Sequence, residues 1–145
     1  MNHTKDTEDV VGVIVFYRNQ ILLVRGVGGK WSFPKGRRRE NESFLQGALR
    51  EAKEEAGLDL TGISPDVTLK LRYGTYFIFN LWRIPELASP STPEEVLEVG
   101  WHTFQSMRDK EKNADLKCYF KLKKTGNLKP VCDAEKSTLG TQRVF

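Results

Sequence analysis

Long hydrophobic runs are missing from this sequence. No apolar stretch approaches the roughly 20 residues that a membrane-spanning helix needs. The opening residues, Met1 to Asp9, are polar and lack the apolar core of a secretory signal. Cysteine is scarce, and Cys118 and Cys132 form no CxxC pair. Two free thiols in a reduced intracellular protein are therefore expected, cytoplasmic first, with a nuclear location not excluded. Histidine is as rare: His3 and His102 stand apart with no partner spacing for metal or triad chemistry, so structural roles are expected for both. Asn2-His3-Thr4 spells a glycosylation sequon, idle without a secretory signal. Glycine and proline, at 12 and 6 of 145 residues, stay near background, which excludes collagen-like, low-complexity or wholly disordered chains.

What is present suits one domain: 145 residues, 39% of them hydrophobic. The formal net charge of +4 is unevenly spread. Residues 1–100 hold 13 Lys/Arg against 14 Asp/Glu, whereas residues 101–145 hold 10 against 5. Such a balance is compatible with phosphate-bearing partners but says nothing about reaction.

Two apolar, β-branched runs, Val10–Tyr17 and Ile21–Arg25, read as antiparallel strands around the loop Arg18-Asn19-Gln20. Glycines 26, 28 and 29 mark a loop. Trp31 to Phe33 reads as a short strand stopped by Pro34, and residues 35–41 read as loop. Ser43–Ala56 is the clearest helix. Leu45, Ala48, Leu49, Ala52 and Ala56 share one apolar arc, and Gly57 supplies a left-handed end. Thr68–Arg72, Thr75–Ile84 and Val96–Thr103 are further strand candidates, and Phe104–Lys110 could open a helix. Residues 116–123 fit either a strand or a helix. The order suggests a mixed sheet with helices packed on it, an α+β or α/β sandwich. We expect a flexible N-terminus over residues 1–8, the domain over 9–124 and a mobile tail over 125–145.

The chemistry concentrates on the acidic side of that helix. Glu51, Glu54 and Glu55 stand at i, i+3 and i+4, so three carboxylates share one arc. A solvated face would explain a Glu cluster, with Arg50 and Lys53 partly neutralising it. A divalent cation would neutralise it more effectively, since Mg²⁺ takes oxygen ligands and leaves coordination positions to phosphate.

The wider pattern favours the second explanation. Gly36, Glu42, Arg50, Glu51, Ala52, Glu54, Glu55, Gly57 and Leu58 satisfy G-x5-E-x7-R-E-U-x-E-E-x-G-U, where U is apolar. The chain thereby resembles the Nudix hydrolase superfamily, over 23 residues without a departure. The resemblance implies an α/β/α sandwich and Mg²⁺- or Mn²⁺-dependent hydrolysis of a diphosphate linkage by an activated water. It implies Glu51, Glu54 and Glu55 as metal ligands beside Gly36. It implies Glu54 or Glu51 as general base, Arg50 as the group orienting a neighbouring glutamate, and Glu42 as a support for the loop or a secondary metal. The physical logic agrees: a diphosphate resists attack because its oxygens repel a nucleophile, and metal ions neutralise that charge.

Substrate selection is less legible. Lys35, Arg37, Arg38 and Arg39 crowd the loop before the helix as a solvated basic loop or a phosphate clamp. Trp31-Ser-Phe-Pro-Lys-Gly36 looks like the corresponding entry in dinucleoside polyphosphate hydrolases, diphosphoinositol polyphosphate phosphohydrolases and messenger RNA decapping enzymes. The first two, small phosphate-rich substrates, are favoured. An RNA-end directed hydrolase is the alternative, and a non-catalytic nucleotide-binding module is disfavoured because every box glutamate is retained. Glu94, Glu95 and Glu98 are accessory candidates, since several relatives supply a further glutamate from such a loop. Arg25, Tyr76 and Phe79 could border the cleft, with core positions favoured for the two aromatics. The lysines from Lys117 to Lys129 could touch RNA or form a solvated basic face.

Overall fold

The computed structural model describes residues 9–83, 86–89 and 94–125. The expected flexible N-terminus, residues 126–145 of the expected tail, Cys132 and Lys129 lie outside the described residues.

The β-branched run at the start becomes the central strand β1 (Val10–Tyr17), with five consecutive residues from Val11 to Val15 buried. Such a run suits a strand covered on both faces. Arg18, at φ 55°, turns the chain into β2 (Gln20–Gly26), with Tyr17 opposite Gln20 and Phe16 opposite Ile21. The turn is thus one residue shorter than the loop expected, because the left-handed Arg18 suits the tight hairpin turns.

Beyond those pairs the hairpin opens. β3 (Trp31–Ser32) bonds to β2, and β4 (Lys35–Arg37) bonds to β1 with Gly36 opposite Val11. Between them the Pro34 carbonyl accepts the Val13 N–H at 3.1 Å. Residues 35–37, expected as loop, are therefore strand. The β1 backbone needs partners where β2 leaves it, and this segment supplies them. A Cβ at Gly12 would strike the Pro34 carbonyl, so the close approach requires glycine there.

The other edge of β1 runs parallel to β6, from Val11 opposite Thr75 to Tyr17 opposite Leu81. β5 (Val67–Lys70) pairs antiparallel with β6 (Thr75–Leu81), and β7 (Val96–His102) pairs antiparallel with β2. Among the described residues the result is one mixed sheet of seven strands.

Helix α1 (Phe44–Ala56) covers one face of this sheet. Its alanines 48, 52 and 56 are fully buried against Val11, Val13, Val15 and Phe79, and small side chains let the helix approach closely. Helix α2 (Ala114–Thr125) covers the opposite face, where Leu116 and Tyr119 pack with Ile14, Ile21, Leu23, Phe33 and Tyr76. The ambiguous segment 116–123 is thus helical. Leu116, Tyr119 and Phe120 fall on one arc, and the Asn113 side chain caps the start by accepting the Leu116 N–H at 2.9 Å. Phe104 to Asp109, where a helix was expected to open, is a series of turns instead. Its hydrogen bonds run from residue i+3 back to i at Phe104, Gln105 and Met107, and Lys110 closes the last of them. The fold is the α/β/α sandwich expected. Among the described residues no helix is long and apolar enough to cross a membrane.

Candidate active site

The acidic face of α1 is only partly turned to water, with Glu51 buried and Glu54 and Glu55 half-buried. It lies along β4, the strand that fills the opened hairpin, so residues 35–37 and the glutamates form one surface. Both ends of the helix are set locally. Ser43 Oγ accepts the Gln46 N–H at 3.0 Å while Gln46 Oε1 accepts the Ser43 N–H at 2.8 Å, a reciprocal capping box. Gly57, at φ 69°, closes the other end. Ala88 packs where its Cβ would be, and the Ala88 N–H donates to the Gly57 carbonyl. Glycine is therefore required twice over, by conformation and by space.

Arg50 organises the site. Its Nε and Nη2 donate to the two Glu42 carboxylate oxygens at 2.6 and 3.0 Å. Its Nη1 donates to Glu51 Oε2 and to Glu54 Oε1, each at 3.1 Å, and Nη2 also reaches the Arg37 carbonyl at 2.9 Å. The planar, forked guanidinium makes a geometry that lysine cannot reproduce. The hydrogen bond from Arg50 holds the Glu42 carboxyl far below its usual 4.5, at about 2. Glu42 in return, with help from Glu51, raises the Arg50 pKa.

Glu51 and Glu55 are electrostatically different from Glu42. Glu51 is only 8% exposed, and burial pushes its carboxyl up despite Arg50. Burial likewise pushes Glu55 up to about 7, against the Lys35 N–H that its Oε1 accepts at 3.1 Å. A Cβ on Gly36 would occupy the position of the Glu51 carboxylate, so the missing side chain lets the acid lie against the β4 backbone. Glu54 faces outward, between Arg50 and Arg39 Nη2, the latter at 3.5 Å.

These residues fit a hard divalent cation. The donors are all oxygen, two carboxylates carry a desolvation cost that a cation would offset, and the Gly36 cradle leaves room beside Glu51. Glu51 and Glu54 share Arg50 Nη1, whereas Glu55 accepts the Lys35 N–H. Among the described residues no three acidic, histidine or cysteine side chains converge on a common point.

A pH dependence follows for protein kept metal-free with EDTA. Glu55 titrates near 4.5 unfolded and near 7 folded. Between those values the folded state holds a proton that the unfolded state has released, so stability falls as pH rises from about 4.5 to about 7. Glu51 acts in the same direction. Thermal melts across that window should show a declining midpoint, and Glu55→Gln should flatten it by several degrees. Identical pH profiles for the two proteins would show that Glu55 carries no such cost.

Beside Glu55 opens a cleft of about 490 Å³. It is lined by Lys35, Glu55 and Glu95, with Lys30, Ser32, Asn113 and the loop Gly26-Val27-Gly28 around them. Of the four basic loop residues, Lys35 is at the cleft, Arg37 and Arg39 are exposed, and Arg38 is committed elsewhere. Arg38 pairs with Asp9 at 2.9 Å, donates to the Glu42 carbonyl at 2.8 Å and lies over the Phe44 ring. That arrangement ties β4 to the strand start and the helix entry. Arg25 pairs with Glu98 at 2.8 Å across the β2–β7 ladder, and Glu94 is exposed. Tyr76 and Phe79 are fully buried, and His102 packs edge-on against Trp31.

Ser32, Lys30, Asn113 and Asp115 escaped the sequence reading. Asn113 reaches the cleft from the start of α2, and Asp115, 2% exposed, accepts the Tyr76 hydroxyl at 2.7 Å. The signal available was an Asn and an Asp opening an amphipathic run, an N-terminal pattern. It was obscured because the same run also alternates like a strand.

The family model described as NUDIX domain matches residues 6–137. The mRNA-decapping enzyme subunit 2 of Saccharomyces cerevisiae (strain YJM789) is 29% identical over 123 residues, 79% of this chain and 13% of that protein. This chain thus spans only a small part of the yeast relative. An 8-oxo-dGTP diphosphatase of Proteus vulgaris is 35% identical over 66 residues, covering 42% of this chain and 59% of the relative. In structure, a C. elegans Ap4A hydrolase in a binary complex aligns with a TM-score of 0.61 at 18% identity, over 81% of this chain and 96% of that one. The family match spans most of the chain, the sandwich is shared and the signature lies along α1 and β4, so the chain belongs to the Nudix hydrolase superfamily.

Proposed function

We propose that this protein is a Nudix diphosphohydrolase, using Mg²⁺ or Mn²⁺ to cleave a diphosphate linkage in a small phosphate-rich substrate, with the domain at residues 9–124. The observation that carries this reading is buried Glu51 and half-buried Glu55 against the β4 backbone, with Glu54 beside them on the Arg50 fork. Glu51, Glu54 and Glu55, with the Gly36 backbone, would hold the metal. When bound, the cation would neutralise phosphate charge and lower the pKa of a water.

The protein's own residues do the rest. Lys35 offers a cation at the cleft, and Arg39, 3.5 Å from Glu54, offers another beside the glutamates, so an anionic chain would meet positive charge next to the carboxylates. Arg50 orients Glu51 and Glu54 through its Nη1, and either carboxylate would accept the proton of the attacking water. Glu42 holds Arg50 and, through its own carboxylate, the Arg39 N–H at 2.8 Å, which keeps the loop entry closed against the helix. Glu95, across the cleft from Lys35, is the accessory glutamate placed to contribute. Glu98 is engaged by Arg25.

Dinucleoside polyphosphates and diphosphoinositol polyphosphates are the favoured substrates. A panel of these, together with nucleoside diphosphate sugars and capped RNA, tests the reading with Mg²⁺ or Mn²⁺ present. Metal-dependent product release from one of the first two classes is expected. A panel left wholly untouched would sink the enzymatic reading. A second reading, hydrolysis at an RNA end, is favoured by the decapping relative, whose similarity extends over 79% of this chain. Turnover of capped RNA alone would select it.

A further inference from the structure

We propose that the outer face of α2 binds the backbone of a single-stranded nucleic acid. It does so on the side of the sheet opposite α1 and its glutamates. The face forms a groove of about 1010 Å³ between α2 and the turns after β7. Arg108, Lys117, Lys121, Lys123 and Lys124 line it together with Phe104 and Phe120, and among the described residues no carboxylate does. Lys117, Lys121 and Lys124 recur at i, i+4 and i+7, so their ammonium groups form a row about 10 Å long on one helix face.

The charge state of this row separates it from the basic loop before α1. There Arg38 and Arg39 are each paired with a carboxylate. Among the described residues none of the five groove cations makes an ion pair. Uncompensated like charges repel, and a polyanion that neutralised several at once would be held by counterion release.

The apolar floor decides which polyanion. Lys123 lies over the Phe104 ring at 4.9 Å and Lys112 over the Phe120 ring at 5.1 Å. One face of each ring thus already carries a cation, and phenyl edges and lysine methylenes would meet the carbon atoms of sugars and bases. Inorganic polyphosphate has no carbon to place there, and a broad membrane surface would not enter a groove. Binding through backbone phosphates with covered rings is insensitive to base sequence.

The inference deepens the RNA-end reading and rests on it for its biological sense. Its test involves no turnover, so failure of one is distinguishable from failure of the other. Fluorescence anisotropy with a labelled oligouridine of about 12 nucleotides is measured in EDTA over a range of salt. With all five cations engaged, the affinity should fall by about 100-fold between 50 and 200 mM salt, a log–log slope near −3.5. Substituting Lys117, Lys121 and Lys124 by Gln should reduce the slope by about 2. Hydrolysis of a small diphosphate and the melting temperature should remain as in the parent protein. An oligodeoxyuridine arm should bind comparably, whereas polyphosphate and anionic phosphatidylserine vesicles should bind more weakly. Absent binding, binding untouched by the triple substitution, or preference for polyphosphate or vesicles would each overturn the proposal.

Discussion

Glu54→Gln lowers turnover by about 10²- to 10⁴-fold, the range for losing a positioned general base, and leaves the folded state nearly as stable as before. The two halves of this expectation have separate physical sources. The Glu54 side chain is 28% exposed and one of its oxygens shares Arg50 Nη1 with Glu51, so an amide of the same shape keeps a hydrogen bond and strands no deeply buried charge. What it loses is the negative charge and the ability to accept a proton. Glu51→Gln makes the useful contrast, because Glu51 is 8% exposed and lies in the Gly36 cradle, so its replacement disturbs packing together with chemistry. Turnover and thermal melting on both variants, at saturating Mg²⁺, separate the roles. A Glu54→Gln protein retaining more than a tenth of the parent rate would move the base assignment to Glu51.

Arg50→Met should cost about 3–5 kcal/mol of stability, the range for removing one partner from a buried ionic network. The guanidinium side chain is only 16% exposed and engages three carboxylates and the Arg37 carbonyl at once. Without it, Glu42 and Glu51 remain close together with no cation between them. Arg50→Lys keeps the charge and loses the fork, so it should fall between the two. Acid titration gives an independent reading. Glu42 titrates near 2 when folded against 4.5 unfolded, so its contribution is present above about 4.5 and disappears as pH falls towards 2. That acid-labile component should vanish in Arg50→Met. Urea unfolding at neutral and acid pH measures both effects, and a loss below about 1 kcal/mol would show that Arg50 is not the hub.

The acidic helix α1 was legible because its information is local. The 3.6-residue period of Leu45, Ala48, Leu49, Ala52 and Ala56, the Ser43 start and the Gly57 end are properties of neighbouring residues, and the helix runs between those signals. The spacing of Glu51, Glu54 and Glu55 likewise placed three carboxylates on one arc without any knowledge of what lay opposite. Strand β4 was not legible: Lys-Gly-Arg carries no strand propensity, and it pairs because β1 has backbone groups to satisfy where the hairpin opens. Residues 116–123 failed for another reason, since their apolar positions satisfy two periods at once. Which face of the sheet was available then decided between them.

The basic residues mark the same boundary. Sequence alone brought Lys35, Arg37, Arg38 and Arg39 together before an acidic helix and placed a second excess of lysine beyond residue 100. Only the fold distinguished them. Arg38 is spent on Asp9 and the Glu42 carbonyl, Lys35 reaches the cleft, and Lys117, Lys121 and Lys124 line a groove across the sheet. By itself the sequence determined the chemistry of the candidate site, because helix period and residue type are carried along the chain. The tertiary structure decided which charges are buried, paired or available. Those depend on residues distant in sequence, and desolvation and Coulomb interaction act through space.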